Sequence, residues 1–277
     1  NMLAGVGAID GCILVVDAKE GWMPQTEEHF QILKLLGLSR GVVALTKVDL
    51  VDSQQVELRR KEIAAHTRTS FLENAPIVSL SVVSQIGLDD LRLELDQLVG
   101  NAVEKQNTQT KQRPRLWVDR SFSAKGAGTV VTGTLIGGSV KANDELTLAR
   151  SNKTVRVREI QQHEKPVSEL SSGHRCALNL VGLSHDEIFR GDVLVTAEQW
   201  RPTALFDASL KIVPSLQHRV TRRGSYSIYV GSGEFDAKIR LIGTRELHAD
   251  ESGFVRIALQ TAQLFSSTVH HDKQEIL

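Results

Sequence analysis

Two different rhythms of apolar and polar positions divide the chain. Up to about residue 100, short continuous apolar runs alternate with stretches whose apolar residues recur every three or four positions. GCILVVD (11–17), GVVAL (41–45) and 77–80 are the continuous runs. Runs of this kind suit parallel strands buried on both faces. Residues 25–36 and 53–68 read as helices, the second of them charged and exposed. Leu88, Leu91, Leu95 and Leu98 mark a third helix, for which Gly100 is the expected stop. Strand and helix in strict alternation predict a parallel sheet of the doubly wound kind.

Beyond residue 100 the helical rhythm ceases. Residues 101–114 are polar and predict a linker. From 115 on, β-branched runs alternate with glycine turns: TVVTGTL (129–135), ELTL (145–148), TVRVREI (154–160), RCALNLV (175–181) and GDVLV (191–195). That pattern predicts an antiparallel barrel. Pro202 opens a further all-β stretch. The expected organisation is a parallel α/β domain over 1–100, a linker over 101–114, one barrel over 115–200 and a second, potentially incomplete, over 201–277. The fold class is therefore α/β followed by two antiparallel β-barrels.

Composition narrows the function classes. With 41% hydrophobic residues, 24% charged residues and zero formal net charge, the chain is a folded protein and not a polycation that coats nucleic acid. Any RNA contact must come from local basic patches, and 218–223 (HRVTRR) is one of them. Cys12 and Cys176 lie inside apolar runs, which argues against a disulfide framework or a zinc site and points to a reducing compartment, the cytoplasm. No apolar run has the length of a membrane helix.

The candidate chemistry sits at the ends of the predicted strands. Thr46-Lys47-Val48-Asp49 follows GVVAL directly. An Asp there can accept two hydrogen bonds from the N1–H and amino group of guanine, which adenine does not offer, and the stem of Lys47 can cover the ring. Strand carboxyl ends are where such folds bind ligands. Ser81-Val82 follows the next strand and offers a backbone N–H for the guanine O6. The sequence contains no GxxxxGK[ST] phosphate loop and no D-x-x-G that would approach magnesium. No catalytic residue and no metal ligand set is assigned.

These residues carry a resemblance. Residues 1–38 (NMLAGVGAIDGCILVVDAKEGWMPQTEEHFQILKLLGL) resemble the stretch that follows the second switch in elongation-factor GTPases. TKVD resembles their N-K-x-D motif, with Thr in place of Asn, and Ser81-Val82 their Ser-Ala loop. The segment VDRSFSAKGAGTVVTGTLIGGSVK (118–141) is similar to the second domain of elongation factor Tu and its relatives, above all the selenocysteine-specific elongation factors. The resemblance implies GTP/GDP with Mg2+ in an intact protein whose phosphate loop and switches lie upstream of Asn1. It implies an aminoacyl pocket built from Asp119, Arg120, Phe122, Thr132 and Arg175. A selenol ionises below neutral pH, so arginines beside that pocket suit a selenolate. The partners implied are selenocysteinyl-tRNA, the ribosome and an mRNA hairpin held by further C-terminal modules. Arg219, Arg222 and Arg223 are candidate contacts to tRNA phosphates. Two other functions stay open: a general aminoacyl-tRNA carrier or related GTPase, and a non-hydrolysing tRNA- or ribosome-binding module if Asn1 is the true start.

Overall fold

The computed structural model describes residues 9–106, 113–126, 128–214 and 216–264. Ile9 to Thr108 form one compact unit, and the residues from Gln109 onward form another.

The first unit holds β1 (Cys12–Asp17), α1 (Pro24–Leu35), β2 (Gly41–Thr46), α2 (Ser53–Thr67), β3 (Ile77–Ser79) and α3 (Leu88–Gln106). The three strands are parallel in the order β1-β2-β3. Strand β2 is central, and Gly41 to Leu45 are all buried, as the continuous apolar run requires. Its Val42 and Ala44 meet Val78 and Leu80, over which α3 lays Leu88, Leu91 and Leu98. Helices α1 and α2 bury Phe30, Leu33 and Ile63. Asp52 caps α2 by accepting a 2.8 Å hydrogen bond from Gln55 N–H.

Two expectations need correction here. Strand β1 is not buried on both faces. Ile13 and Val15, in register with Val42 and Ala44, remain 43% and 58% exposed. Helix α3 does not stop at Gly100 but runs to Gln106. An added Cβ at Gly100 would meet nothing within 4 Å, so the glycine sits in an open part of the helix, where it weakens the helix without ending it. The expected linker over 101–114 thus begins later, and its residues 107–112 lie outside the described residues, as do 265–277 of the second barrel.

The second unit opens with β4 (Arg115–Ala124), β5 (Gly128–Ile136), β6 (Ser139–Lys141), β7 (Glu145–Leu148), β8 (Lys153–Gln162), β9 (Lys165–Val167), β10 (Glu169–Ser171), β11 (Arg175–Val181) and β12 (Val193–Val195). The main sheet runs β11-β5-β4-β12-β7-β8-β9, and a further β8–β11 pairing closes the ring. Closure removes free strand edges. Inward-facing Leu116, Val131, Leu135, Leu148, Ile160 and Leu178 fill it.

The second barrel follows with β13 (Thr203–Lys211), β14 (Val220–Thr221), β15 (Arg223–Val230), β16 (Gly233–Ile242), β17 (Glu246–Leu247) and β18 (Ser252–Gln263). Four of these pair antiparallel as β13-β18-β16-β15, and β14 pairs with β17. In β16 buried and exposed residues alternate strictly from Ala237 to Ile242, which fixes register through the inward Ala237, Ile239 and Leu241.

The two barrels share a seam. Trp117, Val193 and Val195 of the first pack with Leu264 and Val230 of the second. Ser232 Oγ donates to Val118 O at 2.6 Å, and Arg190 Nε donates to Ser232 O at 3.1 Å. Gly231, at φ +58°, lies against the indole of Trp117.

Candidate functional site

In the first unit the candidate base-reading residues Thr46, Lys47, Asp49, Ser81 and Val82 lie in the loops at the carboxyl ends of β2 and β3. Val48 N–H donates to Leu80 O at 3.4 Å, which ties the loop after β2 to the loop after β3. Thr46 Oγ1 donates to Val16 O at 3.3 Å and fastens the same loop to β1. Lys47 occupies the left-handed region at φ 58°, ψ 35°, an uncommon and costly conformation for a residue with a Cβ. Its ammonium pairs with Asp17 Oδ2 at 2.6 Å, across the ends of β1 and β2. Burial alone would raise the Asp17 carboxyl. The Lys47 ammonium and the N–H groups of Lys19 and Glu20 outweigh that and hold it below the usual carboxylate range. Lys47 is held above its own ordinary value by the same contact. The head of Lys47 is thereby anchored to the end of β1. Asp17, at the carboxyl end of β1, is the anchor.

Asp49 sits in a single 3-10 turn, Val48–Leu50, and is exposed. Among the described residues its carboxylate has no hydrogen bond or ion pair. Ser81 is buried, its Oγ accepting from Ser84 N–H at 3.1 Å and from Ser84 Oγ at 2.9 Å. Reciprocal backbone bonds of 3.0 and 3.1 Å with Ile86 close the loop around it. Val82 stands 67% exposed at the tip. Gly87, at φ +68°, permits this closure, because a Cβ there would lie 2.2 Å from Ser79 O. A fixed loop, a carboxylate without a partner among the described residues and an anchored lysine suit a guanine base. Among the described residues no group of three His, Cys, Asp or Glu residues is arranged to hold a metal ion.

In the second unit Asp119, Arg120, Phe122, Thr132 and Arg175 meet on the outside of the first barrel. The register between β4 and β5 shifts between Val118 and Arg120, which leaves Asp119 as the extra residue of a bulge. The bulge turns Asp119 toward β5, where Thr132 Oγ1 donates to Asp119 Oδ1 at 2.6 Å. Arg175, on β11, donates from Nη1 to Asp119 Oδ2. The carboxylate is only 14% exposed, whereas the Arg175 side chain is 56% exposed. The acid thus holds one edge of the guanidinium and leaves the rest facing outward. Arg120 pairs in register with Thr132, which in turn faces Ala177, and Arg175 faces Thr134. Small side chains therefore separate the two arginines. Arg120 is exposed, and among the described residues its guanidinium has no partner. Phe122 is 41% exposed and lies two residues along the same face of β4. Two guanidiniums against one carboxylate leave a net positive surface. Thr134 and Ala177 were not singled out from sequence, because only the register brings them between the arginines. Gly133 makes the bulge possible, since a Cβ there would lie 2.1 Å from Trp117 O.

The three arginines of the third predicted cluster have separate surroundings. Arg219 pairs with Glu246 at 3.1 Å. Arg223 instead lies in register with Arg240 on the neighbouring strand. Arg222 is exposed between the two. Trp22 stacks on His66 at 4.4 Å, Trp117 lies in the seam between the barrels, and Trp200 packs under Arg115.

Residues 1–110 match the family model of the elongation factor Tu GTP binding domain, and 128–195 match that of elongation factor Tu domain 2. The chain belongs to the elongation-factor-Tu-like GTPase family. It is 35% identical to the selenocysteine-specific elongation factor of Desulfomicrobium baculatum over 257 residues, 93% of this chain and 40% of that protein. The crystal structure of bacterial selenocysteine-specific elongation factor EF-Sec superposes with a TM-score of 0.80 at 29% identity, covering 96% of this chain and 42% of that one. Elongation factor SelB from Methanococcus maripaludis, in complex with the GTP analogue GppNHp, gives a TM-score of 0.80 at 27% identity, over 95% of this chain and 61% of that one. Within its family the chain groups with the selenocysteine-specific elongation factors. It spans about two fifths of the length of the curated relative from Desulfomicrobium. Among the described residues no helix is long and apolar enough to cross a membrane.

Proposed function

We propose that the chain is part of a cytoplasmic elongation factor that binds GTP or GDP with Mg2+ and carries selenocysteinyl-tRNA to the ribosome. An mRNA hairpin would be held by modules outside these residues. In this reading Asp49 accepts from the guanine N1–H and amino group, and Lys47 covers the ring from its anchor on Asp17. The N–H of Val82 meets O6, while Thr46 and Ser81 fix the two loops. The phosphates and the metal would be held by residues that this sequence does not contain. The 277 residues by themselves are therefore expected to show no GTP turnover. A fluorescent-nucleotide titration tests this, and micromolar affinity for the triphosphate together with hydrolysis would contradict it.

The selenocysteinyl group would lie on the outer face of the first barrel, its selenolate between Arg120 and Arg175 above Thr132, with Phe122 beside it. Arg219, Arg222 and Arg223 are assigned to tRNA phosphates in the second barrel. One observation carries the aminoacyl assignment. Arg175 is fixed by a nearly buried Asp119 while most of its guanidinium stays open. An arginine held in this way loses little further side-chain freedom on meeting an anion. The expected result is that selenocysteinyl-tRNA outcompetes seryl-tRNA for the protein. Equal affinity for the two would favour the general aminoacyl-tRNA carrier instead.

A further inference from the structure

The sequence of α2 is that of a charged, exposed helix, yet two adjacent arginines on it turn to backbone carbonyls of the sheet. Arg59 donates from Nε to Ala18 O and from Nη2 to Lys19 O, both at 3.2 Å. Arg60 donates from Nη1 to Ile77 O at 2.7 Å and to Ser79 Oγ at 3.2 Å. One guanidinium thus holds the segment after β1, and the other holds β3. The third branch of Arg59, Nη1, donates to Glu62 at 2.8 Å, and the side chain is only 18% exposed.

The turn from Ala18 to Gly21 is held from two sides. Asp17 takes its N–H groups: Lys19 and Glu20 donate to Oδ1 at 2.8 and 3.4 Å, and Gly21 donates to the main-chain oxygen at 2.8 Å. Arg59 takes the carbonyls of Ala18 and Lys19. The guanidinium lies directly against the turn, because a Cβ on Gly21 would come within 2.3 Å of its Nη1. Ala18 N–H donates to Thr46 O at 2.9 Å, one residue before Lys47. The two oxygens of Asp17 divide their work, with Oδ1 on the turn and Oδ2 on the Lys47 ammonium at 2.6 Å. Lys47 has a left-handed backbone, which persists only where the surroundings hold it.

We propose that Arg59 is a positioning residue for the guanine site. It fixes the turn, the turn aims Asp17, and Asp17 holds Lys47 in the conformation that meets the base. The proposal rests on the reading of Lys47 and Asp49 as base-binding, and it adds the residue that keeps the site formed before the base arrives. A preformed site loses less affinity to ordering. The shape of the guanidinium matters here more than its charge. A rigid fork reaches two carbonyls of one turn at once, whereas an ammonium on a flexible stem is a single point.

The test is an amide-detected NMR titration of the 277-residue chain with GMP. AMP is the control, since it has the same phosphate and lacks the guanine N1–H and amino group. In Arg59→Gln the GMP affinity is expected to fall about tenfold while the AMP affinity stays level. The Lys47 amide resonance is expected to shift before any nucleotide is added. Arg59→Lys is expected to match Arg59→Gln, because it keeps the charge and loses the fork. Asp17→Asn keeps an acceptor for the turn, removes the charge that holds Lys47, and is expected to show a loss of the same size. The double variant Arg59→Gln/Asp17→Asn is expected to bind no more weakly than the weaker single variant, since both changes release the same lysine. Additive losses in the double variant overturn the proposal, because they mean two independent roles. A lower thermal midpoint in Arg59→Gln with the GMP preference intact also overturns it, and leaves Arg59 a structural residue and the guanine site standing. A parent chain that shows no preference for GMP over AMP overturns the guanine reading itself, and the role of Arg59 with it.

Discussion

Gly231→Ala is expected to lower the thermal midpoint of the barrel pair by roughly 5–15 °C. The new methyl would lie 2.0 Å from Trp117 Cδ2 and within 2.5 Å of two further atoms of that ring. Trp117 cannot easily retreat, being 6% exposed and packed with Val193, Val195 and Leu264. Overpacking of this kind costs about 1–3 kcal/mol. The backbone at φ +58° adds about 1–2 kcal/mol for any residue with a Cβ. Ser232, the next residue, donates its hydroxyl to Val118 O, so the clash is transmitted to the strand that bears Asp119. A double variant with Trp117→Leu should recover the packing share and leave the backbone share. Calorimetry on the single and double variants separates the two. A midpoint within a degree of the parent would mean that the seam is looser than its contacts imply.

Arg175→Ala is expected to reduce the preference for selenocysteinyl- over seryl-tRNA by roughly 10- to 100-fold. A hydrogen bond to a charged group contributes about 1.5–3 kcal/mol, and each 1.4 kcal/mol is a factor of ten. The loss should appear in the selenocysteinyl affinity alone, because a neutral serine hydroxyl gains little from a guanidinium. Arg175→Lys tests geometry separately from charge. A lysine keeps the charge but cannot hold Asp119 with one edge and an anion with another, so it is expected to fall between the parent and the Ala variant. Competition binding with both aminoacyl-tRNAs reads this out. Equal loss of both affinities would instead assign Arg175 a purely structural role, as the clamp on Asp119.

The two-part architecture was legible because its signals are local. GVVAL is apolar throughout since both faces of β2 are buried, and β16 alternates since one of its faces is wet. What escaped sequence reading depends on partners distant along the chain. Ile13 and Val15 look as buried as Val42 and Ala44 until the helices are placed. Gly100 carries the residue type of a helix stop, but neither a turn nor a close contact there requires one. The candidate guanine loop was singled out from Thr46 to Asp49, but Asp17 as the anchor of Lys47 required the pairing of β1 with β2. Asp119 and Arg175 could be singled out through resemblance. That one clamps the other depends on a bulge between Val118 and Arg120. The reach of Arg59 to Ala18 O and Lys19 O is hidden for the same reason: the fold, not sequence proximity, brings α2 to the turn after β1.

In the function proposed here, the first barrel distinguishes its cargo by charge. The most direct measurement compares the affinities of selenocysteinyl-, cysteinyl- and seryl-tRNA for the protein as pH is raised from neutral through the thiol range, near 8.5. The selenol is already ionised at neutral pH, so its affinity should stay level. The seryl hydroxyl does not ionise, so its affinity should stay low. The cysteinyl thiol becomes an anion in that interval, so its affinity should climb toward the selenocysteinyl value, and only while Arg175 is present. A cysteinyl profile that runs flat beside the seryl one would contradict recognition by charge.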